Sequence, residues 1–159
     1  MKHVKGNLLD TNILFVAHGC NCQDGFGSGV AGAIAQRSPE IKQAYHAEIA
    51  KRGKGPHNLG KWFLAYTSDQ SRVYLNCFTQ NKFGSDGEKY ASYTAVVQAL
   101  TDFVSGDYVD RTLLGEIGTL EIAIPEIGCG LGGLKWPIVA ELLLEIEQRF
   151  NVEFTVYRL

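Results

Sequence analysis

The chain has 159 residues and a mass of 17.5 kDa, with 45% apolar and 20% charged residues, which suits one domain with a closed core and excludes a disordered chain. Fifteen Lys and Arg against seventeen Asp and Glu leave a net charge of −2. No extended nucleic-acid surface is therefore expected, although a pocket for one small anion stays open.

No run reaches the ~18–20 apolar residues of a spanning helix, and residues 1–6 lack the apolar stretch of a secretory leader, so no membrane partner and a cytoplasmic location are expected. Residues 12–18 form a continuous apolar run ending in His18, the pattern of a strand buried on both faces. Gly25, Gly27 and Gly29 follow, then two helical stretches at 30–37 and 39–52, the second opened by Pro39. Residues 61–66 and 72–78 are aromatic and β-branched and flank the turn-forming 67–71, which predicts a hairpin. Apolar side chains at 93, 96, 97, 100, 103 and 104 make a helical stripe. Residues 105–119 carry no clear period and read as a loop insertion in a single domain of 1–159. A strand at 120–124 leads into a glycine loop at 128–133. Trp136 and Pro137 then open a helix with Ile138, Val139, Leu142, Leu143 and Ile146 on its inner side, and a last strand alternates at Val152, Phe154 and Val156. Strands interleaved with helices predict an α/β fold, a three-layer α/β/α sandwich with a mixed sheet, its hairpin and last strand lying antiparallel at the edges.

The four cysteines (20, 22, 77 and 129) and four histidines (3, 18, 46 and 57) match no zinc or redox spacing, so reduced thiols, no metal and no cofactor are expected. Three segments can carry chemistry. The run 18–30 and the run 125–136 each take an apolar strand into glycines and then a helix, which is either a permissive connection or a loop whose amides meet an anion. The second run matches neither a dinucleotide nor a P-loop motif. The polar loop 79–89 offers Asn81, Lys82, Asp86 and Glu88 and by itself reads as a solvated connection. His18 alone reads as a strand-end histidine, yet Asn21 and Asp24 stand close by in sequence.

Taken together, these motifs resemble those of the macro domain family. They are Val4 to Leu8 at the start; His18, Cys20, Asn21 and Cys22 with Gly27, Ser28, Gly29 and Val30; the Phe83–Lys89 loop; Pro125 to Leu131 with Trp136; and the closing Phe154 to Leu159. The likeness is greatest to the small ADP-ribose 1''-phosphate phosphatases of that family. It implies a cleft for ADP-ribose derivatives, with Asn7 and Leu8 near the adenine. Asp24, Gly27, Ser28, Gly29, Val30, Gly128, Cys129, Gly130, Leu131 and Gly132 would line the ligand. Asn21 would face the distal ribose, His18 would act as acid or base, and Asp86 or Asp24 would orient His18 or water. The chain also resembles the terminal ADP-ribose protein glycohydrolases, but Gln80 and Gly132 stand where that branch has its lysine nucleophile and its aspartate. The implied activity is hydrolysis of ADP-ribose 1''-phosphate, with a mono-ADP-ribosyl-protein hydrolase and a non-catalytic ADP-ribose reader as alternatives.

Overall fold

A computed structural model of the chain describes residues 1–84, 86, 88–106, 109 and 118–159. Most of the expected insertion at 105–119 lies outside the described residues. The strands are β1 (Lys2–Lys5), β2 (Phe15–Asn21), β3 (Trp62–Tyr66), β4 (Val73–Gln80), β5 (Leu120–Ile124) and β6 (Val152–Arg158), and the helices are α1 (Gly29–Arg37), α2 (Pro39–Arg52), α3 (Tyr93–Ser105) and α4 (Trp136–Arg149). They build a six-stranded sheet in the order β1-β6-β5-β2-β4-β3. All neighbours are parallel except the β3–β4 hairpin.

The alternation of each strand sends its side chains into two separate cores. Phe15 and Ala17 of β2 pack with Leu75, Ile122 and Phe154 against Phe103 of α3 and Leu143 of α4. Val16 and Cys20 of the same strand pack with Tyr74 and Phe78 against Ile34 of α1 and Ile41, Tyr45 and Ile49 of α2. Helices thus cover both faces, and the expected three-layer α/β/α sandwich is borne out.

Several expectations change in detail. The last strand, β6, is an interior parallel member between β1 and β5, because a strand so apolar is buried on both sides. The edge belongs to β1, whose four residues are all exposed and therefore carry no alternation to read. Ile138 is 43% exposed, so the inner stripe of α4 is Val139, Leu143 and Ile146. Helix α3 starts at Tyr93, where the Ser92 hydroxyl caps the Ala95 amide at 3.2 Å. The parallel strands β2, β4 and β5 all end on one side of the sheet, where an open α/β sheet receives ligands.

Candidate active site

Three loops meet at that end of the sheet. The loop after β2 is folded around Asn21. Its Oδ1 accepts from the amides of Gln23 (2.9 Å) and Gly25 (3.1 Å) and from the Tyr45 hydroxyl (3.1 Å), and its Nδ2 donates to the Gly25 carbonyl at 2.6 Å. Asp24 sits at φ 66, a left-handed conformation that Asp tolerates better than most residues, and pairs with His46 Nδ1 at 2.5 Å. The chain then runs through Gly27 into α1. Ser28 makes no side-chain cap there, so the first-turn amides and the positive end of the helix dipole face outward.

The loop after β5 turns at Gly128, where φ is 77 and an added Cβ would lie 2.6 Å from Leu134 Cδ1. Bonds from Cys129 N to Glu126 O (3.0 Å), Gly133 N to Gly130 O (3.1 Å) and Leu134 N to Gly128 O (2.9 Å) hold its shape. The amides of Gly130, Leu131 and Gly132 donate to no acceptor among the described residues. Unpaired amides beside an uncapped helix start are the geometry that binds phosphate oxygens.

The loop after β4 ties the other two together. Its Asn81 Oδ1 accepts from Gln23 Nε2 at 2.9 Å, and Tyr90 and Ala91 both donate to the Gly132 carbonyl at 2.9 Å. Phe83, 55% exposed, leans on Gly25, where an added Cβ would lie 2.9 Å from its ring. Asp86 accepts from the Glu88 amide (3.1 Å) and from the Tyr90 hydroxyl (2.9 Å to each carboxylate oxygen), bonds that hold its carboxyl below the usual range. Together the loops enclose a cleft of about 510 Å³.

Of the expected site residues, Asn21, Gly27, Ser28, Gly29, Val30, Gly128, Gly130, Leu131 and Gly132 line this cleft. The others stand elsewhere. Asn7 Oδ1 caps the Leu9 amide at 2.9 Å, Leu8 is buried, and the Cys129 thiol turns to the Ile127 carbonyl at 3.4 Å. Asp24 and Asp86 lie outside the lining. His18 is fully buried; its Nε2 lies 2.5 Å from Asn76 Oδ1, and its ring meets Phe26 and Tyr74 edge-on. The cause is strand period: His18 shares the side of β2 that packs under α1 and α2. Gly19, Thr79, Gln80, Phe83 and Glu126 also line the cleft. None of these five is among the expected site residues, although Phe83 and Glu126 fall within motifs that carry the resemblance and Gln80 stands at the position of the glycohydrolase lysine. An exposed aromatic within a polar loop is the one signal that marks Phe83.

Burial lowers the His18 pKa to about 4 from 6.5, so the ring is neutral at pH 7. The unfolded chain therefore takes up a proton between those values that the folded chain refuses. Stability should fall as pH drops from about 6.5 to about 4, by roughly 3 kcal/mol in all, with no contribution above that window. Urea midpoints measured from pH 7 to 4 should show this loss in the parent and a smaller one in His18→Gln. Equal losses would assign the pH dependence to other groups.

Thiol chemistry in the cleft is disfavoured. Cys20 lines it, but burial holds that thiol well above its ordinary pKa, so no thiolate nucleophile forms near neutrality. Among the described residues no group of three or more His, Cys, Asp and Glu side chains is placed to hold a metal ion, and no helix is long and apolar enough to cross a membrane.

The geometry has counterparts among known proteins. An ADP-ribose 1''-phosphate phosphatase of Saccharomyces cerevisiae is 29% identical, the match covering 99% of this chain and 97% of that protein. A DNA ADP-ribosyl glycohydrolase of Mycobacterium tuberculosis is 28% identical over 96% of this chain and 40% of its own length. Among solved structures, the macrodomain of Thermus aquaticus DarG superposes with a TM-score of 0.75 at 27% identity, over 99% of this chain and 97% of that one. The family model for the macro domain matches residues 17–143, and that span holds all three loops of the cleft. The chain belongs to the macro domain family.

Proposed function

We propose that the cleft binds ADP-ribose 1''-phosphate and hydrolyses it to ADP-ribose and inorganic phosphate. The observation that carries this reading is the pair of facing anion sites, the uncapped start of α1 and the free amides of Gly130, Leu131 and Gly132. The full-length likeness to proteins named for this activity supports it. In this reading the two amide sets hold the diphosphate, and Asn21 offers the second hydrogen of its Nδ2 to the ribose that carries the reacting phosphate. Water adds to phosphorus, the bond from phosphorus to the C1'' oxygen breaks, and that oxygen leaves with a proton as the hydroxyl of ADP-ribose. Asp86 stands outside the lining, so its ionised carboxylate takes the proton of the attacking water through one bridging water, and solvent supplies the proton that leaves on the C1'' oxygen. His18, neutral and buried, supports the wall of the cleft from beneath. Three buried free thiols are in keeping with work in the reducing cytoplasm.

A glycosidic reaction has the mycobacterial relative in its favour. Against it, no lysine lines the cleft among the described residues, and at the end of β4 Gln80 turns its Nε2 to the Lys82 carbonyl at 2.8 Å. Incubation with ADP-ribose 1''-phosphate in the presence of a chelator should release phosphate and ADP-ribose in equal amounts. Activity that vanishes with the chelator and returns with a divalent ion would overturn the metal-free mechanism.

A further inference from the structure

Glu126 is the one acidic side chain among the described residues lining the cleft. A carboxylate there opposes the phosphates that the neighbouring amides attract, and an uncharged residue would serve anion binding better. It is held in place nonetheless. Arg158, at the end of β6, donates from Nε at 2.6 Å and from Nη2 to the same oxygen, Oε1. The backbone of Glu126 is fixed by the bond from Cys129 N to its carbonyl. No donor among the described residues reaches the second oxygen, Oε2.

Position decides what that free oxygen meets. Glu126 lines the same cleft as the free amides of Gly130, Leu131 and Gly132. The diphosphate of ADP-ribose is flanked on both sides by ribose, so a carboxylate beside the diphosphate site is offered sugar hydroxyls before a base. It also stands on the β6–β1 side of the cleft, because the Arg158 carbonyl accepts from Gly6 N at 2.8 Å, while Asn21, Gln80 and Phe83 stand on the β2–β4 side. The two riboses of the ligand must divide between these sides.

We infer that Glu126, braced by Arg158, reads the hydroxyl pair of the adenosine ribose and rejects a ligand with a phosphate on that ribose. The inference rests on the proposed function for the orientation of the ligand. The chemistry is that of carboxylates which accept from ribose hydroxyls in dinucleotide sites and select against a 2'-phosphate. A hydrogen bond to a charged acceptor has the strength to discriminate roughly 10- to 100-fold, and charge repulsion acts in the same direction.

The test is calorimetric titration of the whole chain with ADP-ribose and with ADP-ribose 2'-phosphate, in the parent, in Glu126→Gln and in Glu126→Ala. The parent should prefer ADP-ribose by about 10-fold or more, and both variants should lose most of that preference, the Gln variant mainly by gaining affinity for the 2'-phosphate. Glu126→Gln keeps the volume, so it remains informative where Glu126→Ala unfolds. A parent that prefers ADP-ribose, with the preference intact in a folded Glu126→Gln, overturns the role of Glu126 and leaves the proposed function standing. A parent that binds neither compound overturns both.

Discussion

Asp86→Asn should lower turnover of ADP-ribose 1''-phosphate by roughly 10²–10⁴, the usual worth of a general base, while ADP-ribose affinity changes less than about threefold. The substitution keeps the shape of the side chain and both of its partners. The Tyr90 hydroxyl and the Glu88 amide, which hold the carboxylate now, can donate equally to an amide oxygen. The loop therefore stays in place and only the capacity to accept a proton is lost. Because those bonds hold the Asp86 carboxyl below its ordinary range, the base should remain ionised well into the acid side. Loss of rate on acidification should set in only as the carboxyl protonates or as His18 weakens the fold. Single-turnover rates with calorimetric affinities check the first expectation. A variant of unchanged rate would remove Asp86 from the mechanism and leave the proton to the phosphate itself or to bulk water.

Gly130→Glu should abolish ADP-ribose binding, a loss of roughly 100-fold or more, with little change in melting temperature. Nothing lies within 4 Å of the place a Cβ would take at Gly130, and its backbone is not left-handed, so a side chain there costs the fold little. It would project into the cleft and set a negative charge beside the diphosphate, where screening by water is reduced. Gly128 is the contrasting position. Its positive φ and its contact with Leu134 make any side chain strained and crowded, so Gly128→Ala should lower the melting temperature. Measured together, the two variants separate a glycine that gives the ligand room from one that makes the turn. Retained affinity in a folded Gly130→Glu would move the diphosphate away from this loop.

Much of this molecule is legible in its sequence, for a physical reason. Strands β2, β4 and β5 are apolar runs bounded by glycine or polar residues, and α2 and α4 announce their first turns with Pro39 and Pro137. The two glycine loops could be placed at the carboxyl ends of strands because pattern alone orders strand, loop and helix. Strand β1 could not be read, since an exposed edge lacks apolar alternation. His18 shows where inference from sequence fails at the site. Three residues before Asn21 it is close in sequence to the cleft, but strand alternation puts its ring on the buried side with Asn76. Asp24 is a similar case: its pairing partner His46 lies on α2, and no local pattern connects them. Glu126 escapes notice for a different reason. Its meaning depends on Arg158, 32 residues away along the chain, and on the neutrality of every other described wall residue.

Hydrolysis of the phosphate ester of ADP-ribose is the reaction this cleft should perform best. The most direct measurement gives the chain ADP-ribose 1''-phosphate and, in parallel, a mono-ADP-ribosylated protein and a mono-ADP-ribosylated oligonucleotide, and compares kcat/KM for the three. Phosphate should be released from the small substrate with kcat/KM at least about 100-fold above that for either macromolecule. Release of ADP-ribose from a macromolecule while ADP-ribose 1''-phosphate stays intact would contradict it.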